Sequence, residues 1–189
     1  MNLPDKTYSV IYADPPWSYR QCGTGPRSRG NAAQHYHTMA VEDICALPVQ
    51  RLAGGGGGGC ALFMWATFPT IRDALRVMRA WGFEYKTAAF VWVKKNRKSC
   101  TPFWGMGAYT RANAEVCLLG ITPDFKAKEQ IKSHAVHQIV EEPIQAHSVK
   151  PDEVRKRIVT LMGDVPRIEL FARQRATGWD AWGDELPPE

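Results

Sequence analysis

The chain has no long hydrophobic run: its most apolar stretches, around Cys60 to Ala66 and Ala88 to Val93, fall far short of the roughly 20 residues a membrane helix needs. Met1 to Thr7 has no basic start followed by an apolar segment, so no secretory leader is read there and a soluble, cytoplasmic protein is expected. The five cysteines, at 22, 45, 60, 100 and 117, are odd in number and never spaced CxxC. That argues against a complete disulfide framework or a zinc knuckle and for reduced thiols. Histidine pairs His35-x-His37 and His134-x-x-His137 occur without a helical HExxH or a clustered third ligand, so no metal is expected. Internal repeats are missing too. At 189 residues with 44% apolar and 23% charged residues, the chain is long enough for one domain with a real core, and collagen-like, coiled-coil and wholly disordered classes are excluded.

Acid is the most telling scarcity. No Asp or Glu lies between Asp14 and Glu42, where Arg20, Arg27 and Arg29 occur, nor between Glu84 and Glu115, where Lys86, Lys94, Lys95, Arg97, Lys98 and Arg111 occur. Together with a net charge of +5, these two basic loops, 17–38 and 94–113, suit a surface that meets phosphates. The second also carries Phe103, Trp104 and Tyr109, and aromatics mixed with cations provide the flat faces and the charge that unstacked bases need.

Apolar runs alternate with helical periodicity, which predicts an α/β layer fold with a mostly parallel, doubly wound sheet. Strands are expected at Tyr8 to Ala13, Cys60 to Ala66, Ala88 to Val93, Glu115 to Ile121, near Gln138 to Glu141, and at Arg167 to Ala172. Helices are expected over Val41 to Ala53, from Thr67 and Pro69 to Gly82, and from Pro151 through Met162. Ile71, Leu75, Met78 and Trp81 line one face of the middle helix, opposite Arg72, Asp73, Arg76 and Arg79. The six glycines Gly54 to Gly59 read as a flexible connector. They sit before a strand with no Lys or Ser/Thr behind them, the reverse of a phosphate-cradling loop.

Asp14-Pro15-Pro16-Trp17 follows the first strand directly, at the carboxyl end where such sheets place ligands. Two prolines fix the backbone and remove two N–H donors, leaving a rigid run of acceptors that suits an incoming NH₂ group. Trp17 offers a plane for a flat heterocycle.

These segments resemble the adenine-N6 methyltransferases of the mRNA-methylating (METTL-type) family and their small prokaryotic and phage relatives. The resemblance runs from about Tyr8 to Glu185. It is carried by Asp14-Pro15-Pro16-Trp17, Tyr36-His37-Thr38-Met39, Leu62-Phe63-Met64-Trp65, Trp92-Val93-Lys94 and Glu115-Val116-Cys117-Leu118-Leu119-Gly120. Further along stand His147-Ser148-Val149-Lys150-Pro151-Asp152-Glu153, Ile168-Glu169-Leu170-Phe171-Ala172-Arg173 and Gly178-Trp179-Asp180-Ala181-Trp182-Gly183.

The resemblance implies a single Rossmann-like methyltransferase domain over residues 1–189, with the motif order of a circularly permuted enzyme. It also implies S-adenosylmethionine as methyl donor, S-adenosylhomocysteine as product, and the 6-amino group of adenine as acceptor. Asp14, Pro15, Pro16 and Trp17 would form the catalytic corner. Asp14, Lys150, Phe171, Arg173, Arg175, Asp184 and Glu185 would face the cofactor, with Lys150 near the methionine carboxylate. Tyr36, Lys94, Arg111 and Glu115 would face the substrate. The expected partner is nucleic acid, DNA ahead of RNA, with a flipped-out or single-stranded base and short or relaxed sequence preference. The expected compartment is the cytoplasm of a prokaryotic or phage-infected cell, as monomer or homodimer.

The chain departs from the family in three ways. Arg173 to Thr177 stands where other methyltransferases have a glycine-rich turn. Few residues precede the signature, and Arg175, Ala176 and Asp184 replace the His, Asn and Asn of relatives. Two rivals remain open. One is cytosine-N4 methylation, whose enzymes favour Ser where Asp14 stands; the other is a catalytically silent partner subunit, which typically loses the acid of the signature.

Overall fold

The computed structural model describes residues 2–18, 38–54, 57–107, 109–145 and 149–187. In chain order they form β1 (Val10–Ala13), α1 (Val41–Ala46), β2 (Ala61–Ala66), α2 (Ile71–Ala80), β3 (Glu84–Lys95) and β4 (Ala114–Ile121). There follow α3 (Ala127–Gln130), β5 (Ile139–Pro143), α4 (Asp152–Met162), β6 (Arg167–Leu170) and β7 (Asp180–Trp182). The strands join in one sheet in the order β5-β3-β4-β2-β1-β6-β7. Pairing is parallel for β1 with β2, β1 with β6, β3 with β5 and β6 with β7, and antiparallel only where β4 meets β2 and β3. The mostly parallel, doubly wound expectation therefore holds, with β4 the one reversed strand.

The central strands β1 and β2 are buried on both faces, the signature of a sheet covered on both sides. On one face, Ile11, Leu62, Met64, Leu118 and Ile168 pack with Ile44 of α1 and with Ala74, Val77 and Met78 of α2. On the other, Val10, Tyr12, Phe63, Trp65 and Phe90 pack with Val154, Ile158 and Met162 of α4. The apolar stripe read for α2 is its buried side, and the indole of Trp81 just beyond it donates to the Ile44 carbonyl at 2.8 Å, locking α2 to α1.

Three expectations are corrected. The helix over Val41 to Ala53 stops at Ala46, and Val49–Leu52 is a separate 3₁₀ turn, because Pro48 lacks a donor and disfavours helical geometry before it. The last predicted strand ends at Leu170 rather than Ala172, and a further strand, Asp180–Trp182, pairs with it. β3 begins at Glu84, well before Ala88. Gly55 and Gly56 of the glycine connector lie outside the described residues.

Candidate active site

Because β4 is antiparallel, its first residues lie at the same edge of the sheet as the carboxyl ends of β1, β3 and β6. Asp14, Lys94, Glu115 and Phe171, distant in sequence, thus come to one rim, where an open α/β sheet binds its ligands.

Asp14 continues β1, and its N–H points at the Leu170 carbonyl, 3.5 Å away. Beyond it the chain folds on itself: the Trp17 N–H donates to the Pro15 carbonyl at 2.8 Å, and the Met39 N–H donates to the Pro16 carbonyl at 2.9 Å. Both proline carbonyls already accept one bond, and each keeps a second lone pair. Trp17 departs from the expected stacking platform. It is only 6% exposed and belongs to the core, and its indole N–H donates to the Trp65 carbonyl at 3.0 Å. The indole pins the proline corner to β2, its ring packed in the core and its N–H spent on the Trp65 carbonyl.

A line of alternating charges backs Asp14. The Lys150 ammonium lies 2.7 Å from Asp14 Oδ2 and 3.5 Å from Glu115 Oε2, and Lys94 bonds Glu115 Oε1 at 2.5 Å. Burial pushes the Glu115 carboxyl up, but the attraction of Lys150 and Lys94 outweighs it and holds the group below the usual carboxylate range. Burial works against the Lys150 charge, yet Asp14 and Glu115 together raise its pKa well above an ordinary lysine. Lys150 is therefore a fixed cation. It also sits 5.6 Å from the centre of the Trp65 ring, as Lys94 sits 5.0 Å from that of Trp92.

Phe171 follows β6 with φ +59°, a left-handed backbone that a bulky residue adopts only when its surroundings impose it. Its ring lies between Trp81, at 6.5 Å and nearly parallel, and Trp182, at 5.4 Å and edge-on. This turn stands where a glycine-rich one would otherwise be. Next to it Arg173 Nε lies 3.4 Å from Glu185 Oε2, and the Arg173 charge acts on Lys150, so the two predicted cofactor segments share the rim with Asp14. Asp184 is exposed beside them. Arg175 is also exposed, and lines an open cavity of about 550 Å³ between α4 and the segment after β6, with Lys156, Gln174 and Thr177. Arg111 stands on the β3–β4 connection, its guanidinium 5.4 Å from the Trp104 ring centre. Tyr36 lies outside the described residues, as do His147 and most of the first basic loop. Among the described residues no cluster of three His, Cys, Asp or Glu could hold a metal, and no helix is long and apolar enough to cross a membrane.

Sequence reasoning missed the Arg155–Glu169 pair, whose two bonds of 2.7 Å brace α4 against β6 beneath Asp14. The signal was present: Glu169 is a charge set between the apolar Ile168 and Leu170 of a strand, and such a charge needs a partner. It missed the bond from Trp65 to Tyr12 as well, an indole N–H donating to the phenol oxygen at 2.6 Å under the site.

Comparison with known proteins agrees with this geometry. The MT-A70 family model matches residues 8–185. The type II methyltransferase M.MunI of Mycoplasma sp is 33% identical over 98% of this chain and 80% of its own length. The human N(6)-adenosine-methyltransferase catalytic subunit METTL3 is 26% identical over 95% of this chain, and human METTL4, an N(6)-adenine-specific methyltransferase, 28% over 96%. This chain spans 28% and 38% of those two proteins. With a family model covering nearly all of it and a relative 33% identical over 98% of it, this chain belongs to the MT-A70 family.

Proposed function

We infer that this chain transfers the methyl group of S-adenosylmethionine to the N6 amino group of adenine in nucleic acid, and that residues 1–189 act as one methyltransferase domain in a prokaryotic cytoplasm. The carrying observation is the state of Asp14. Its Oδ2 is held by the Lys150 ammonium at 2.7 Å, while Oδ1 accepts no hydrogen bond among the described residues and can take one from an amine. The Pro15 carbonyl has a second lone pair for the other N–H. Two acceptors on one amino group draw its hydrogens away from the ring plane and free the nitrogen lone pair from conjugation.

The side chains at the rim fit the cofactor by chemistry. Lys150 and Arg173 suit a carboxylate, Glu185, Asp184 and Asp14 suit an ammonium and ribose hydroxyls, and Phe171, with Arg175 further along, borders the place for an adenine ring. S-adenosylmethionine supplies an electrophilic methyl carbon on a sulfonium. The chain's own contribution is alignment of the amine, with carboxylate and carbonyl favouring the positive charge that grows on nitrogen. Lys150 is held protonated, so it takes no proton from the amine; its bond to Oδ2 holds the Asp14 side chain in place. Lys94, Arg111, Glu115 and Tyr36 are assigned to the nucleic-acid side, with Glu115 acting through Lys150.

DNA stands ahead of RNA because identity to the type II methyltransferase, 33%, exceeds the 26% shared with the N(6)-adenosine enzyme. The base must be extruded or single stranded to reach Asp14. Incubation with S-adenosylmethionine carrying a labelled methyl group and with DNA or RNA oligonucleotides, followed by nucleoside digestion and mass spectrometry, tests this. N6-methyladenine is expected, and Asp14→Ala should lower its formation at least a thousandfold with the melting temperature largely kept. Label appearing on cytosine, or full turnover by Asp14→Ala, refutes the assignment.

A further inference from the structure

The β3–β4 connection, residues 96–113 and described except for Ala108, carries a group of large apolar side chains that stand exposed among the described residues. Trp104 is 71% exposed, Met106 86%, and Tyr109 fully exposed. A soluble domain rarely leaves three such side chains together without a partner.

The connection is nevertheless well built. At its root the Lys94 N–H donates to the Asn113 carbonyl at 2.8 Å, the Phe103 N–H to the Lys94 carbonyl at 2.8 Å, and the Asn96 N–H to the Thr101 carbonyl at 2.8 Å. Arg97 Nε donates to the Ile144 carbonyl at 2.8 Å and ties the outer turn to the end of β5. Further out, Gly105 is buried, and a Cβ there would lie 1.8 Å from the Ala112 carbonyl; one at Gly107 would lie 2.0 Å from that of Thr110. Only glycine permits this approach of the two arms. Trp104 and Met106, flanking the buried Gly105, are thereby held outward, and the Arg111 guanidinium on the opposite arm lies 5.4 Å from the Trp104 ring centre.

The location and charge of this projection identify its partner. Lys94 at its root bonds Glu115, Glu115 faces Lys150, and Lys150 bonds Asp14, so the aromatic tip rises from the wall of the acceptor site. Exposed Arg97, Lys98 and Arg111 surround it, and the connection contains no acid. The flat Trp104 ring offers the kind of π surface a stacked base offers, and the Arg111 guanidinium beside it adds a cation able to reach a flanking phosphate. Apolar side chains inserted between base steps are a general means of unstacking a duplex.

We propose that this connection is an extrusion wedge: Trp104, supported by Arg111, enters a DNA duplex and fills the gap left when the target adenine swings out to Asp14. Arg97 and Lys98 hold phosphates beside the gap. The proposal rests on the adenine-methylating function proposed above and adds that double-stranded DNA is a substrate the protein opens for itself.

Trp104→Ala and Trp104→Phe in the full chain provide the test, with kcat/KM measured on three DNAs: a paired duplex, the same duplex with an abasic site opposite the target adenine, and the single strand. Removing the opposing base removes much of the cost of extrusion. The expected result is a loss at least tenfold larger on the paired duplex than on the abasic-opposed one, largely restored by Trp104→Phe. In parallel, the fluorescence rise of 2-aminopurine at the target position on binding should be weaker in Trp104→Ala. An equal loss on all three DNAs overturns the wedge, as does a wild type that methylates the single strand but not the duplex while the proposed function stands. A homodimer that Trp104→Ala converts to monomer overturns it too, because a second copy would then cover this surface. Methylation of adenine in none of the three would overturn the proposed function along with it.

Discussion

Lys150→Met removes the charge that Asp14 and Glu115 share, while keeping an apolar stem of similar length near Trp65. In the native protein the ammonium lies 2.7 Å from one carboxylate and 3.5 Å from the other, and its side chain is 9% exposed. Losing one partner from a buried ionic cluster costs about 3–5 kcal/mol, which at about 2–4 °C per kcal/mol for a domain of this size lowers Tm by roughly 6–20 °C at neutral pH. The pH dependence is the sharper signature. In the native protein Glu115 is depressed below 4.5 and Lys150 raised above 10.5. The Glu115 contribution is therefore present above 4.5 and lost only as pH falls through the depressed value. The Lys150 contribution is present below 10.5 and lost only as pH rises through the elevated value, so the network is level between these limits.

In the variant Glu115 loses the Lys150 charge and keeps its bond to Lys94. With one of its two cations gone, burial raises the Glu115 carboxyl, and a raised carboxyl stabilises the fold as pH falls through its value. The Tm deficit should accordingly be largest at pH 8 and shrink toward pH 5, as calorimetry across that range would record. Methyl transfer should fall at least a hundredfold at pH 8, since Asp14 loses its orienting bond. A deficit that does not change with pH, or one below about 1 kcal/mol as for an exposed pair, would refute the buried network.

Two structural roles follow from the same geometry. Trp17→Phe removes the bond to the buried Trp65 carbonyl and should cost about 1–3 kcal/mol of stability, read in a denaturant titration; unchanged stability with a raised KM for DNA would return Trp17 to the stacking role its sequence position suggests. Glu169→Gln breaks the paired bonds to Arg155 and should cost about 3–5 kcal/mol, with the loss appearing in thermal unfolding equally with and without DNA; a loss seen only in KM would place Glu169 in substrate binding.

The local elements of this fold are legible because they are written in local patterns. β2 is a run of large apolar residues bounded by a glycine connector and by Thr67, and α2 repeats its apolar positions with helical period to Trp81. The proline pair at 15 and 16 announces a rigid acceptor corner from four residues, and the acid-free segment before Glu115 announces the basic projection. The α1 boundary at Ala46 is marked only by Pro48, while apolar periodicity continues through Leu52 after the helix has ended.

Sequence alone determined the alternation of strands and helices, the chemistry available at Asp14, and membership in a family recognisable by several ordered segments, because each is a property of neighbouring residues. Tertiary structure alone decided the rest: that β4 runs against its neighbours and brings Glu115 to the rim, that Lys150 joins it to Asp14, and that Trp17 is core while Trp104 is exposed. The physical reason is that strand direction depends on pairing between distant segments. Whether an indole is buried or presented depends likewise on what packs over it, and neither fact leaves a periodic mark in the chain.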